Sequence, residues 1–141
     1  MRQSCEPMNA LWLAHHPPSQ YARCFRIGRF HVCRRCVVLY AAAAVTAVLS
    51  LAGLHWPDRW DATLLYLLPL PVTVEFIAER LGGIRYHAGR QVLLTLIAAP
   101  ALGRGLARYF VRPADPLFWR MVLLFGGVCL VALIVTRPRQ R

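Results

Sequence analysis

Residues 15–40 read HHPPSQYARCFRIGRFHVCRRCVVLY, and they join two kinds of sequence. The first part is polar: 19–35 carry Arg23, Arg26, Arg29, Arg34 and Arg35, with little apolar content beyond Phe25, Ile27, Phe30 and Val32. So little apolar surface does not stabilise a fold by burial alone. The segment must therefore lean on a membrane domain or on a metal ion. Its last part runs unbroken into VVLYAAAAVTAVLSLAGL (37–54), 18 residues without a charge. A helix needs about 17–25 largely apolar residues to cross the hydrocarbon core, so 37–54 reads as a first span. Upstream, Pro17 and Pro18 stop any helix, because proline lacks the N–H and disfavours helix at the preceding residue. Gly28 reads as a turn. Residues 1–14 have too short an apolar run, and no A-x-A site, for a cleaved signal.

Composition agrees with a membrane chain. Hydrophobic residues make up 57% and charged residues 16% of the 141 residues, against about 45–50% and about 25% in ordinary soluble domains. The formal charge of +11 comes entirely from arginine, since the chain has no lysine. The arginines flank apolar blocks instead of lining one surface. They therefore speak for topology and anionic lipid headgroups, and against nucleic acid as a partner. Five cysteines, an odd number that includes a C-x-x-C, do not read as a disulfide framework.

The expected fold is an all-α integral membrane protein of about four transmembrane helices, 37–54, 62–78, 92–107 and 117–136. A polar Cys/His segment (1–36) precedes them and a basic tail (137–141) follows. The second span carries Pro69 and Pro71 and should be kinked or broken. The third carries Pro100 and Arg104 and is the weakest. In the fourth, Gly126 and Gly127 would let another helix approach closely. Trp56 and Trp60 sit where interfacial aromatics belong. With four spans both termini share a side. That side holds 12 of the 17 arginines, leaving Arg59, Arg104, Arg108, Arg112 and Arg120 opposite. The positive-inside rule then places both termini and the cysteines in the cytosol.

Cys33-x-x-Cys36 is the sharpest local motif. Two thiolates at this spacing grip one tetrahedral ion, and a structural zinc site needs four ligands. Cys24 is the natural third, and His16, with His15 as alternative, the fourth; His31 is a reserve. Zinc would also explain how so polar a segment folds, because binding energy becomes folding energy. Two other readings stay open. Arg34, Arg35 and the start of the first span would lower a thiol pKa and suit thiol redox chemistry at Cys33 and Cys36, or the thiols are simply reduced and packed. Cys129, inside an apolar span, reads as a small core residue.

The same stretch resembles the opening signature of the bacterial membrane-protein family called domain of unknown function 2085. Its members read C-H, a gap, then P-V-C-A-R-C-T-G-I-Y leading into the first span. Cys33, Arg35, Cys36 and Tyr40 match C-x-R-C-x-x-x-Y. His16 stands where the family has its histidine, and His15 takes the place of its first cysteine. A second block, an acidic residue followed by G-x-R and a later arginine, resembles Glu75, then Gly83-Ile84-Arg85 and Arg90. The resemblance covers residues 15–107. It implies a multi-span protein of the bacterial inner (cytoplasmic) membrane and carries no assigned activity.

Glu75 and Glu79, four residues apart, share a helix face, and Arg85 and Arg90 follow in the next loop. A carboxylate at the membrane edge is costly unless paired, so Glu75 should pair with Arg85 or Arg90. The four form a polar cluster that either contacts an anionic headgroup or ties the loop to the helix ends. Arg104 and Arg108 read as headgroup contacts. The functional expectation is an accessory or scaffold protein, or one that handles metal, with zinc as cofactor and another membrane protein as partner. A membrane metalloenzyme is the alternative, for which Glu75, Glu79 or His87 would supply acid/base chemistry; a thiol oxidoreductase is the other.

Overall fold

The computed structural model describes residues 24–27 and 30–136. The chain is mostly helical and divides into two compact units, Met1–Val37 and Val38–Arg141. In the first, β1 (Cys24–Ile27) pairs antiparallel with β2 (Phe30–Cys33), in the register Cys24↔Cys33, Phe25↔Val32, Arg26↔His31 and Ile27↔Phe30. The hairpin departs from the all-α expectation. Its strands alternate aromatic or branched residues with polar ones, the pattern that suits a pleated ribbon. Gly28, read above as a turn, lies outside the described residues, as do His15, His16 and the tail 137–141.

The helices are α1 (Arg34–Leu51), α2 (Asp61–Leu67), α3 (Leu70–Arg80), α4 (Ala88–Val111) and α5 (Pro116–Thr136), with a 3₁₀ turn at Asp58–Trp60. Among the described residues, three stretches are long and apolar enough to cross a membrane by length and composition: Arg34–Leu51, Asp58–Arg80 and Pro116–Thr136. Their surfaces are largely apolar and exposed, including Val45 and Val48 on α1 and Leu123, Leu130 and Ile134 on α5. Such surface is costly in water and natural in lipid.

The second stretch is broken at Leu68–Pro69, as its prolines require. Pro69 cannot donate to the Leu65 carbonyl, so the ladder stops and restarts as α3. Thr73 stitches the restart, donating both its amide (3.1 Å) and its hydroxyl (2.8 Å) to the Pro69 carbonyl. α4 differs from the expectation. Pro100 lies inside it without ending it, and the helix runs 24 residues, well past 92–107 at both ends. It holds together because neighbours enclose it. Gln91, Thr95, Ala98, Ala99, Ala101, Gly103, Arg104, Gly105 and Ala107 are all buried.

The core joins three helices. Leu65 of α2, Ala101 of α4, and Phe118 and Met121 of α5 are buried together, with Tyr109 packed against them. The Tyr109 and Phe118 rings lie 5.1 Å apart. α1 reaches α4 through small residues: Ala43 and Ala47 are buried, and the Thr46 hydroxyl donates to the Ala99 carbonyl (3.4 Å). α5 starts at an Asp-Pro pair. The Asp115 carboxylate accepts from the amides of Leu117 (2.9 Å) and Phe118 (3.1 Å), so Asp115 is the N-cap and Pro116 the first helical residue.

Candidate functional site

Three of the four ligands named from sequence lie on the hairpin and the start of α1. Cys24 and Cys33 are cross-strand partners and both are buried. Side chains of such a pair share one face, with Cβ atoms about 4.5–5.5 Å apart. Cys36 follows in the first turn of α1 and is joined to Cys33 by a thiol hydrogen bond. Cys24, Cys33, Cys36 and Cys129 are not in disulfides. Burial, and then the neighbouring Cys33 sulfur, push the Cys24 thiol above its ordinary value; Arg34 acts the other way but more weakly. The Arg34 guanidinium lies over the Phe25 ring, 4.9 Å from its centroid. Among the described residues, no group of three or more His, Cys, Asp or Glu side chains is arranged to hold a metal ion. Three sulfur donors fit the chemistry of zinc. The fourth ligand expected, His16 or His15, lies outside the described residues.

The second expected cluster forms in the other unit, where α3 meets α4. Glu75 is 4% exposed and accepts from Arg90 Nε at 3.3 Å. Of the two partners considered, Arg90 makes the pair. Arg85 contributes instead its carbonyl, which accepts from Arg90 Nη2 (2.6 Å). His87 caps α4, its Nδ1 accepting from the Arg90 amide at 3.2 Å. One helix start and one buried carboxylate are thus held by a single arginine. Glu79 lies one turn beyond Glu75 and is half-buried.

A third cluster escaped sequence reasoning. Where α2 begins and α4 ends, three aspartates and two arginines interlock. Asp61 (2% exposed) accepts from Arg104 Nε (3.0 Å) and Trp56 Nε1 (2.7 Å) on one oxygen. Its other oxygen accepts from Arg104 Nη2 (3.0 Å) and Arg108 Nη1 (2.6 Å). Arg104 Nη2 also donates to Asp58. Arg108 grips Asp115 through Nη2 (2.7 Å) and Nε (3.1 Å). Every oxygen of Asp61 and Asp115 is engaged, which is what a buried carboxylate needs. Burial by itself would raise the Asp115 carboxyl; the Arg108 and amide hydrogen bonds outweigh it and hold the group below the usual carboxylate range.

Arg104 and Arg108 are therefore structural partners of carboxylates and not free headgroup contacts. The signal was present in the sequence. Asp58 and Asp61 stand three apart, and Arg104 and Arg108 four apart, each pair on one helical face. Beside the cluster opens a cleft of about 500 Å³, lined by Ser50, Leu51, His55, Asp58, Arg104, Arg108 and Arg112 among others.

Neither the family models nor the curated proteins nor the solved structures contain a match to this chain. The resemblance drawn from residues 15–107 therefore stands on its own motifs.

Proposed function

We propose that this chain is a four-span membrane protein with both termini in the cytosol, its N-terminal hairpin closed by zinc. It serves as an accessory or scaffold subunit or in metal handling, and not as an enzyme. The observation that carries the reading is the register of the hairpin: Cys24 opposite Cys33, with Cys36 three residues further on. With Zn–S bonds of about 2.3 Å, two sulfurs of a tetrahedral site lie about 3.8 Å apart, within reach of a cross-strand pair. His16, or His15, supplies the fourth position. Four protein ligands make a closed site, which is structural in character.

α4 is the fourth crossing in this reading. Its 24 residues span about 36 Å, more than the roughly 30 Å of hydrocarbon. Arg90, Arg104 and Arg108 are each paired with a carboxylate, which lets a helix with three arginines sit in lipid. The arginine count supports cytosolic termini. The rule counts loop residues, and Arg104 and Arg108 lie within α4, bound to Asp61. Setting aside on both sides the arginines inside α1, α3, α4 and α5, the far side keeps Arg59 and Arg112, and the near side keeps Arg2, Arg23, Arg26, Arg29, Arg85, Arg137, Arg139 and Arg141. Anionic headgroups then contact the arginines of the near side.

The test is elemental mass spectrometry of the full chain, purified in mild detergent under reducing conditions, with a thiol count. About one zinc per chain is expected, with thiols shielded until a chelator is added, and loss of the metal in Cys33→Ser and in Cys36→Ser. Full stoichiometry in both variants would sink the zinc site. Thiol redox is the second reading, since Cys33 and Cys36 are neighbours and neither is in a disulfide. Metal-free protein with Cys33 and Cys36 disulfide-linked would bring it forward.

A further inference from the structure

We propose that the cleft beside the Asp61–Arg104–Arg108 cluster binds the headgroup of an aminophospholipid: a phosphodiester and a primary ammonium on one molecule. The inference rests on the membrane reading and is independent of zinc.

The cleft offers groups of both signs that the cluster leaves available. The Arg112 guanidinium is exposed and has no hydrogen bond or ion pair among the described residues. The Asp58 side chain is 76% exposed, and only one of its oxygens is engaged, by Arg104 and, at 3.9 Å, by His55 Nδ1. Arg104 and Arg108 cannot swing out to meet a ligand, because Asp61 and Asp115 hold them. The wall is therefore preformed, and a ligand need not order it on binding.

Charge selects the class of ligand. Asp58, Asp61 and Asp115 balance Arg104, Arg108 and Arg112, three against three. A net anion would meet two aspartates on the lining, and a net cation three arginines. A zwitterion meets neither penalty if its phosphate lies on Arg112 and its ammonium on Asp58. The ammonium matters as a donor: it has three N–H groups for the free carboxylate oxygen, whereas a quaternary choline has none.

Position selects a lipid as the source. The cleft lies where α1 and α4 end, and two of its lining residues, Leu51 and Val111, are exposed apolar side chains. Trp56, Trp60 and Trp119 occur around the same helix ends, and the last two are exposed. Such rings collect at the boundary between headgroups and hydrocarbon. Acyl chains would pass down over the apolar surface while the headgroup stays in the cleft.

Native mass spectrometry of the full chain in detergent tests this, with phosphatidylethanolamine, phosphatidylcholine, phosphatidylglycerol and soluble glycerophosphoethanolamine as probes. The wild type should retain phosphatidylethanolamine about tenfold better than either other lipid, the worth of one charge-assisted hydrogen bond. Asp58→Asn should abolish the preference over phosphatidylcholine. Arg112→Gln, which lies outside the buried cluster, should weaken all three lipids alike without changing their order. Equal retention of the three lipids by the wild type overturns the proposal, as does an intact preference in a folded Asp58→Asn. Soluble glycerophosphoethanolamine competing as well as the lipid overturns the lipid as the source. Recovery of the chain in the soluble fraction of cells overturns the membrane reading itself, and this proposal with it.

Discussion

Replacing Gly103 with alanine puts one methyl group where α1 and α4 touch. An ideal Cβ at Gly103 would lie 1.8 Å from Thr46 Oγ1, 2.5 Å from the Ala43 carbonyl oxygen and 2.8 Å from Thr46 Cβ. Thr46 can rotate its hydroxyl away only by giving up its one donation, for which the carbonyls of Ala42 (3.0 Å), Ala43 (3.1 Å) and Ala99 (3.4 Å) are the acceptors within reach. The Ala43 carbonyl belongs to a helix and cannot rotate. To reach an ordinary van der Waals separation of about 3.4 Å from the Ala43 carbonyl, α1 must retreat by about 0.9 Å, which also loosens Ala43 and Ala47. Overpacking of this kind costs about 1–3 kcal/mol, and the better helix propensity of alanine returns about 1 kcal/mol. The net expectation is a loss of up to about 2 kcal/mol. Gly126 provides the control. It is also helical, but nothing lies within 4 Å of its added Cβ, so Gly126→Ala should be neutral or stabilising by up to about 1 kcal/mol. Thermal unfolding in one detergent, followed by circular dichroism, reads both. Gly103→Ala should lower the midpoint, and adding Thr46→Ala should recover part of the loss by removing one of the three collisions, that with Oγ1, while those with the Ala43 carbonyl and the Cβ at position 46 remain. Equal midpoints for the two glycine variants would refute the close α1–α4 approach.

Two further predictions concern the buried cluster. Asp61→Asn leaves Arg104 and Arg108 short of a shared counter-charge in a buried site; removing one partner of a buried pair costs about 3–5 kcal/mol, so the variant should unfold at markedly lower temperature or detergent concentration, and a midpoint within error of wild type would contradict the burial described here. Asp115 fixes the sign of a pH effect: its carboxyl is held below the usual range, so the stability it contributes is complete above the unfolded value of about 3.9 and is lost as pH falls through the lower folded value. Unfolding midpoints should hold level from neutral pH down to about 5 and then fall, with a shallower acid limb in Asp115→Asn; an unchanged limb would remove Asp115 from that role.

Hydropathy located the apolar stretches well because it measures what lipid tolerates. It located helix ends less well, because a helix continues wherever nothing stops it. α1 begins at Arg34, three residues before the apolar run, since Arg34, Arg35 and Cys36 carry no helix-breaking feature. α4 passes through Pro100 because tertiary packing overrides one lost hydrogen bond and one ring clash. The Asp-Pro pair at 115–116 was readable as a helix start, an N-cap followed by proline, yet reads equally as a proline-bounded loop while its neighbours are unknown. The pairing of Glu75 with Arg90 was legible because the residues lie 15 apart on consecutive elements. Asp61 and Arg104 lie 43 apart, on α2 and α4 with α3 between them, and no local pattern distinguishes such a pair from charges left at an interface. The hairpin alternation was present in CFRI and FHVC, but arginines and cysteines drew the reading toward charge and ligands.

The placement of polarity along α4 explains how this bundle holds together where hydrophobic burial cannot act. Lipid tails are as apolar as leucine, so helices in a bilayer associate through close packing and polar contacts. α4 supplies both. Its middle is small, and Gly105 sits so close to α5 that an added Cβ would meet Met121 Cε at 3.0 Å. Its ends are polar and paired, Arg90 with Glu75 and Arg104 with Asp61. Small residues alone would allow α4 to slide. A slip of one residue moves a helix by about 1.5 Å along its axis, and a hydrogen bond of 3.0 Å does not survive that displacement. The two polar ends therefore set the register, and the small middle sets the distance between helices. It follows that substitutions along the buried stripe of α4 should be the most damaging in this unit, while the exposed faces of α1 and α5 should accept exchange among apolar residues.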